Sequence, residues 1–167
     1  GTIGSNFANK GAGLVYKSTD GSTWTLEATL ENADRVEIEV SSYDPEKLYA
    51  LVEGTDNVPH IYKTTDGFSN ITELSKPNDV DTEISADDFT RGQDFYNLMI
   101  EVDPTNDELV YVGGIDLFRS ENGGTSWRQI SKGNAAISGD FSSVHADQHA
   151  MTFRPGNENQ AVFGNDG

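Results

Sequence analysis

Hydrophobic and polar residues alternate with a period of two over several short stretches of this chain. In "RVEIEV" (residues 35–40), Val36, Ile38 and Val40 fall on one face and Glu37 and Glu39 on the other. In "LMIEV" (residues 98–102), Leu98, Ile100 and Val102 stand opposite Met99 and Glu101. Successive side chains of an extended chain point to opposite faces, so this alternation predicts half-buried strands. Two other runs, "KLYALVEG" from Lys47 and "ELVYVGG" from Glu108, are apolar almost throughout, rich in β-formers and closed by Gly. No stretch holds a 3.6-residue apolar period long enough for a helix. The pattern predicts an all-β fold.

The order of these pieces repeats. One unit reads "VEIEV", a turn with Asp44-Pro45, the apolar run, then "HIYKTTDG" and a short fourth strand. The next reads "LMIEV", Asp103-Pro104, "ELVYVGG" and "LFRSENGG"; a third begins at "HAMTFRPGNENQAVFGNDG", with Arg154-Pro155 in the Asp-Pro place. Four short strands per unit predict four-stranded antiparallel blades of a β-propeller, with innermost strands near 35–40, 97–102 and 149–153. The 167 residues then form part of one propeller domain. Its expected parts are outer strands of a blade over 1–33, a blade over 34–76, an acidic loop over 77–91, a second blade over 92–132, and the start of another over 145–167. Two complete blades with parts of two more are fewer than the roughly four or more of a closed propeller, so a segment of a larger one is expected.

One turn occurs three times: "KSTDGSTWTL" from Lys17, "KTTDGFSNITEL" from Lys63 and "RSENGGTSWRQI" from Arg119. The short acid or amide, Asp20, Asp66 or Asn122, can accept hydrogen bonds from turn N–H groups. Trp24 and Trp127 are expected as buried apolar plugs between blades. These turns resemble Asp-box (BNR, sortilin-like) repeats, whose pattern is Ser/Thr-x-Asp-x-Gly-x-Thr-Trp/Phe. Residues 120–127 match at full length with Asn for Asp and Ser for Thr, residues 18–24 are one short, and residues 64–71 keep only the start. The resemblance implies structural roles at the blade periphery for Ser18, Asp20, Trp24, Thr64, Asp66, Ser120, Asn122 and Trp127. It does not choose an activity, because sialidases, xyloglucan-cleaving endoglucanases, sortilin-like receptors and photosystem assembly factors share such propellers.

A narrower resemblance covers residues 92–167, through "GQDFYNLMIEV", "VHADQHAMTF" and "GNDG". These stretches resemble large secreted or surface propeller proteins of Bacteroidetes, many of which carry a type IX secretion sorting domain. That implies a secreted or bacterial cell-surface location. No sorting domain occurs within these residues, so the export route is implied by resemblance alone.

Charge narrows the partners. Twenty-eight acids against 11 bases give a net −17, with no basic stripe to meet phosphates. Nucleic acid and anionic membrane surfaces are therefore disfavoured, and no apolar run is long enough for direct membrane insertion. Glycans, cations and proteins remain, or the acids only keep the surface soluble. The absence of Cys excludes disulfides and thiolate metal ligands.

The least ordinary chemistry lies in "VHADQHAMTF", where His145, Asp147 and His149 alternate and would share one face of an extended strand. Two imidazoles and a carboxylate could hold a divalent cation such as Zn²⁺. Equally, Asp147 could tie the two rings at a blade junction, with Asn165 and Asp166 completing the network. Aligning Phe153 with Val102 sets Asp147 in the place of Tyr96, so Tyr96 and Asp166 are expected near a ligand-facing channel mouth. The loop 75–93 gathers Asp79, Asp81, Glu83, Asp87 and Asp88, a possible Ca²⁺ site or a solvated acidic loop, without EF-hand spacing. A binding or scaffold module toward glycan or protein partners is the preferred function. The alternative is part of a secreted xyloglucanase-like glycoside hydrolase, for which no catalytic pair can be assigned.

Overall fold

The computed structural model describes residues 13–81, 83–133 and 142–167, and among them there is no helix. A two-stranded antiparallel sheet comes first, β1 (Gly13–Lys17) with β2 (Thr25–Leu30). A four-stranded sheet follows in the order β3 (Ala33–Val40), β4 (Leu48–Gly54), β5 (His60–Thr64) and β6 (Thr72–Glu73). A second runs β7 (Met99–Val102), β8 (Val110–Gly113), β9 (Leu117–Ser120) and β10 (Arg128–Gln129). Short β11 (Ser131–Lys132) and β12 (Ser142–Ser143) pair in parallel, and β13 (Ala150–Arg154) pairs with β14 (Asn157–Gly164). Each four-stranded sheet is an antiparallel meander, and β7 lies beside both β3 and β13 as the innermost strand of its own sheet. Sheets stacked in this way around their innermost strands form a segment of a β-propeller.

The stacking explains the two apolar runs. In β4, Tyr49 and Leu51 face the next blade while Ala50 and Val52 face the preceding sheet, and all four are fully buried. A strand covered on both faces has no polar side to alternate with. Tyr49, Leu51 and Ile61 meet Leu98, Ile100, Val102, Val110, Val112 and Phe118 in one interblade core. Val15, Leu30, Ala33, Val36, Val52 and Tyr62 make the core on the other side.

The repeated turns close these interfaces. In two of them the hydroxyl, Thr64 or Ser120, accepts the N–H of Phe68 or Gly124 at 3.0 and 2.8 Å. Asp66 Oδ1 accepts Asn70 N–H at 2.8 Å, and Asn122 Oδ1 accepts Ser126 N–H at 2.9 Å. The first turn is a residue shorter, so Asp20 Oδ1 reaches the N–H groups of Ser22 and Thr23 at 2.8 and 2.7 Å. Those two bonds, Thr23 foremost, lower its carboxyl to about 2. Gly67 and Gly123 have positive φ, and each is covered by a glutamate of its own blade and a lysine of the sheet before. Lys63 Nζ donates to Gly123 O at 3.3 Å, and Lys17 pairs with Glu46 at 3.8 Å beside Gly67. A basic side chain preceding one turn thus covers the next blade's turn.

Two expectations are corrected. Asp103 is equivalent to Ser41, not to Asp44: Ser41 N–H bonds Lys47 O, as Asp103 N–H bonds Leu109 O. Loops 42–46 and 104–108 are equal in length, while the β4–β5 hairpin from Leu48 to Thr64 is six residues longer than the matching β8–β9 hairpin from Val110 to Ser120, through longer strands as well as a longer connection. Trp24, expected buried, is 60% exposed, because among the described residues no blade covers that side of β1 and β2. Trp127 is half-buried, beside Leu74 on the interblade core, with Nε1 donating to Ser75 O at 2.8 Å. Trp127→Ala should lower the unfolding free energy by about 2–3 kcal/mol, the packing loss plus one hydrogen bond, read from the denaturant midpoint. An unchanged midpoint would show that the indole does not hold the blades together.

Candidate functional site

All three innermost strands begin at the same end of the stack, and the loops at that end carry the chemistry. The opposite end holds the Asp44 and Asp103 loops and the acid–glycine turns. A cleft of about 380 Å³ opens among the loops at the strand-start end. Its lining includes Asp81, Arg91, Gln93, Asp116, Lys132 and His145, with Asp147 beside them.

Arg91 organises the cleft. It sits at φ 55 in the loop before β7 and sends Nε and Nη2 to Asp79 Oδ2 at 3.1 and 2.8 Å. Nη2 also reaches Asp81 Oδ2 at 3.0 Å and Asp116 Oδ2 at 3.5 Å. Lys132 Nζ closes on the other oxygen of Asp81. Asp116, 1% exposed, accepts Gly133 N–H at 2.7 Å and Gln129 Nε2 at 3.1 Å. Burial pushes its carboxyl up to about 6, against the downward pull of Gly133 N–H and Arg91. Lys132 holds Asp81 below the ordinary carboxylate range. Asp79 and Asp81, expected in a free acidic or Ca²⁺-holding loop, are ligands of protein cations.

The histidine trio is divided. Asp147 adopts φ 67 and β13 begins only at Ala150, so His145, Asp147 and His149 do not share one strand face. His149 Nε2 meets Asp166 Oδ1 at 2.8 Å, and Tyr96 Oη donates to Asp166 Oδ2 at 2.9 Å. The Tyr96 and His149 rings pack edge to face at 4.8 Å. Tyr96 and then His149 lower the Asp166 carboxyl. Asp147 accepts instead from Asn97 Nδ2 at 2.8 Å, and His145 faces the cleft. Among the described residues, no three His, Cys, Asp or Glu side chains gather as a metal site. Tyr96 and Asp166 do meet at one place, next to the cleft wall formed by His145 and Asp147.

Residues that periodicity and motifs did not single out include Arg91, Asp116 and Lys132. A second group is Glu39 and Glu101, at equivalent positions on adjacent β3 and β7, each half-buried. Burial, then the Glu39 charge, pushes Glu101 up to about 7, and burial raises Glu39. The only signal for this pair was one Glu at the same place in two alternating strands.

No protein-family model matches this chain, and no curated protein matches it. Among solved structures, a GH74 enzyme from Niastella koreensis is similar over 92% of this chain and 25% of its own, at 18% identity and a TM-score of 0.49. The GH74 xyloglucanase from Xanthomonas campestris is similar over 86% of this chain and 23% of its own, at 15% identity and TM-score 0.46. YCF48 bound to D1 peptide is similar over 89% of this chain and 35% of its own, at 12% identity and TM-score 0.42. The chain spans about a quarter of the two enzymes and about a third of YCF48.

A carboxyl raised in the folded state keeps its proton longer there, so stability is full below the unfolded pKa and falls as pH rises to the folded value. Glu101, from 4.5 to about 7, and Asp116, from 3.8 to about 6, both act in this sense. The protein should therefore lose stability between about pH 4.5 and 7. Glu101→Gln should remove about 2 kcal/mol of that loss, allowing for partial exposure. Parallel stability–pH curves for the two proteins over that range would contradict the assignment.

Proposed function

We propose that this chain is part of an exported or cell-surface Asp-box propeller whose strand-start end binds a glycan. The observation that carries the reading is the cleft at Arg91. Arg91, Asp81, Lys132 and Gln93 bring donors and acceptors together in one polar concavity held by ion pairs. Polyhydroxyl ligands are recognised by such mixed, pre-oriented groups, with an aromatic face against the sugar ring. Tyr96, 44% exposed and anchored through Asp166, supplies that ring beside the cleft. Binding is favoured over hydrolysis at this place because the Asp81 and Asp116 oxygens already have partners, whereas a glycosidase acid must present a free oxygen to the leaving group.

A second reading, part of a polysaccharide hydrolase, draws on Glu101 and Glu39, two half-buried carboxyls on adjacent inner strands, both raised by burial and Glu101 to about 7. Two measurements separate the readings. Calorimetry with xyloglucan and other β-glucan oligosaccharides should give binding that Tyr96→Ala weakens about tenfold, the order of one lost aromatic contact. Absence of binding across the panel overturns the glycan reading. Release of reducing ends that Glu101→Gln abolishes would establish the hydrolase instead.

A further inference from the structure

Two amides stand at the same place in successive repeats. Phe153 pairs with Ala161 as Val102 pairs with Val110, and counting back from these two sets Gln148 in the place of Asn97. Each comes just before an innermost strand, β13 or β7, and each is 0% exposed. Both enter the junction between the second four-stranded sheet and β13. Asn97 shares the face of Met99, which clusters with Met151, whereas Leu98 and Ile100 belong to the core on the other face. Gln148 fills the space that Gly113 leaves open, where an added Cβ would lie 2.6 Å from Gln148 Cβ and 3.0 Å from Met99 Cε.

Hydrogen bonding fixes how both amides are turned. Asn97 Nδ2 donates to Asp147 Oδ1 at 2.8 Å, and Gln148 Nε2 donates to His145 O at 2.6 Å and Ile115 O at 3.3 Å. Turning either amide over would set its oxygen against those oxygens. Asn97 Oδ1 and Gln148 Oε1 are left buried, and among the described residues neither has a hydrogen-bond partner. A buried oxygen in that state is destabilising unless something positive meets it. Asp147 brings a negative charge to the same junction. Its φ of 67 accompanies the bond to Asn97, and the residue also lines the Arg91 cleft, which opens to solvent.

We infer that Asn97 Oδ1, Gln148 Oε1 and the Asp147 carboxylate hold a Ca²⁺ ion at this junction, reached through the cleft. The donor set is all oxygen, one carboxylate and two amide carbonyls, which suits Ca²⁺ over Zn²⁺ or copper. Mg²⁺ gives up its waters reluctantly and is less suited to such carbonyls. Solvent and nearby backbone oxygens complete the roughly six to eight that Ca²⁺ takes. A lone water fits less well, since it must accept as well as donate, and the two amide nitrogens already donate elsewhere. The ion ties the start of β7 to the start of β13 and so fixes one wall of the cleft. This site shares only Asp147 with the divided histidine trio, and the inference does not rest on the glycan reading.

Calorimetric titration of CaCl₂ into the full-length protein, stripped beforehand with chelator, should show binding with a dissociation constant of about 0.1–1 mM, the range of extracellular modules. Asp147→Asn keeps an acceptor for Asn97 Nδ2 and tolerates the positive φ, so the fold should be retained. It removes only the charge, and should weaken Ca²⁺ binding about tenfold or more. Asn97→Asp replaces the donated N–H by a second carboxylate facing Asp147. Its melting temperature should fall in chelator and recover when Ca²⁺ is added, a recovery that a junction holding only water would not show. Should that variant fail to fold in both conditions, Asp147→Asn decides alone. A full-length protein that binds no Ca²⁺, binding indifferent to Asp147→Asn, or a folded Asn97→Asp protein without recovery overturns the inference.

Discussion

Every blade in this fold has two apolar faces and must bury both against another sheet. The rest of the structure follows from that constraint. β4 places Tyr49 and Leu51 on one side and Ala50 and Val52 on the other, with none of the four in contact with water. Apolar burial of this kind is non-directional, so by itself it would allow neighbouring sheets to slide. Directional contacts at the turns fix the alignment: Lys63 on Gly123, Trp127 Nε1 on Ser75 O, and Lys47 against Asp107 and Glu108 at 3.0 and 2.6 Å. Lys47 is nearly buried, so its partners on the next blade are held by a charge that cannot easily return to water.

The same stacking sets the chemistry of the loops. With the blades aligned, residues far apart in sequence converge where the innermost strands begin. Asp79 and Asp116 are both almost fully buried there, and the single guanidinium of Arg91 lies between them. Two buried carboxyls around one cation tolerate little displacement, since removal of the cation would leave uncompensated charge in a poorly solvated place. The cleft is therefore a polar concavity held by ion pairs rather than a free acidic loop. The nearby Tyr96–Asp166–His149 group joins the start of β7 to the end of β14 in the same way.

The acid excess is distributed among distinct tasks. Asp20, Asp66 and Asp103 accept N–H groups of their own turns. Asp79, Asp81 and Asp116 surround Arg91, and Glu39 and Glu101 are half-buried side by side along the inner strands. Much of the acid excess is thus engaged within the fold.

Sequence alone determined the strands, the meander order and the chemistry of the turns. Period-two alternation, apolar runs closed by Gly and hydroxyl–acid–glycine turns depend on residues within a few positions of one another, so local order in the chain is enough to read them. The apolar run in β4 was legible as a strand, and its burial on both faces came with the stacking of the sheets. Tertiary structure alone decided which loops meet. Nothing near Arg91 in sequence announces Asp116 or Lys132, because their meeting depends on the angle and register between blades. The positive φ at Asp147 divided His145, Asp147 and His149, which strict alternation had set on one face. The exposure of Trp24 and the half-burial of its counterpart Trp127 came from the absence or presence of a neighbouring blade among the described residues, a property that no short stretch of sequence carries. Local hydrogen bonds and side-chain period are written into adjacent residues; ion pairs between loops and the covering of an aromatic ring depend on how whole sheets stack.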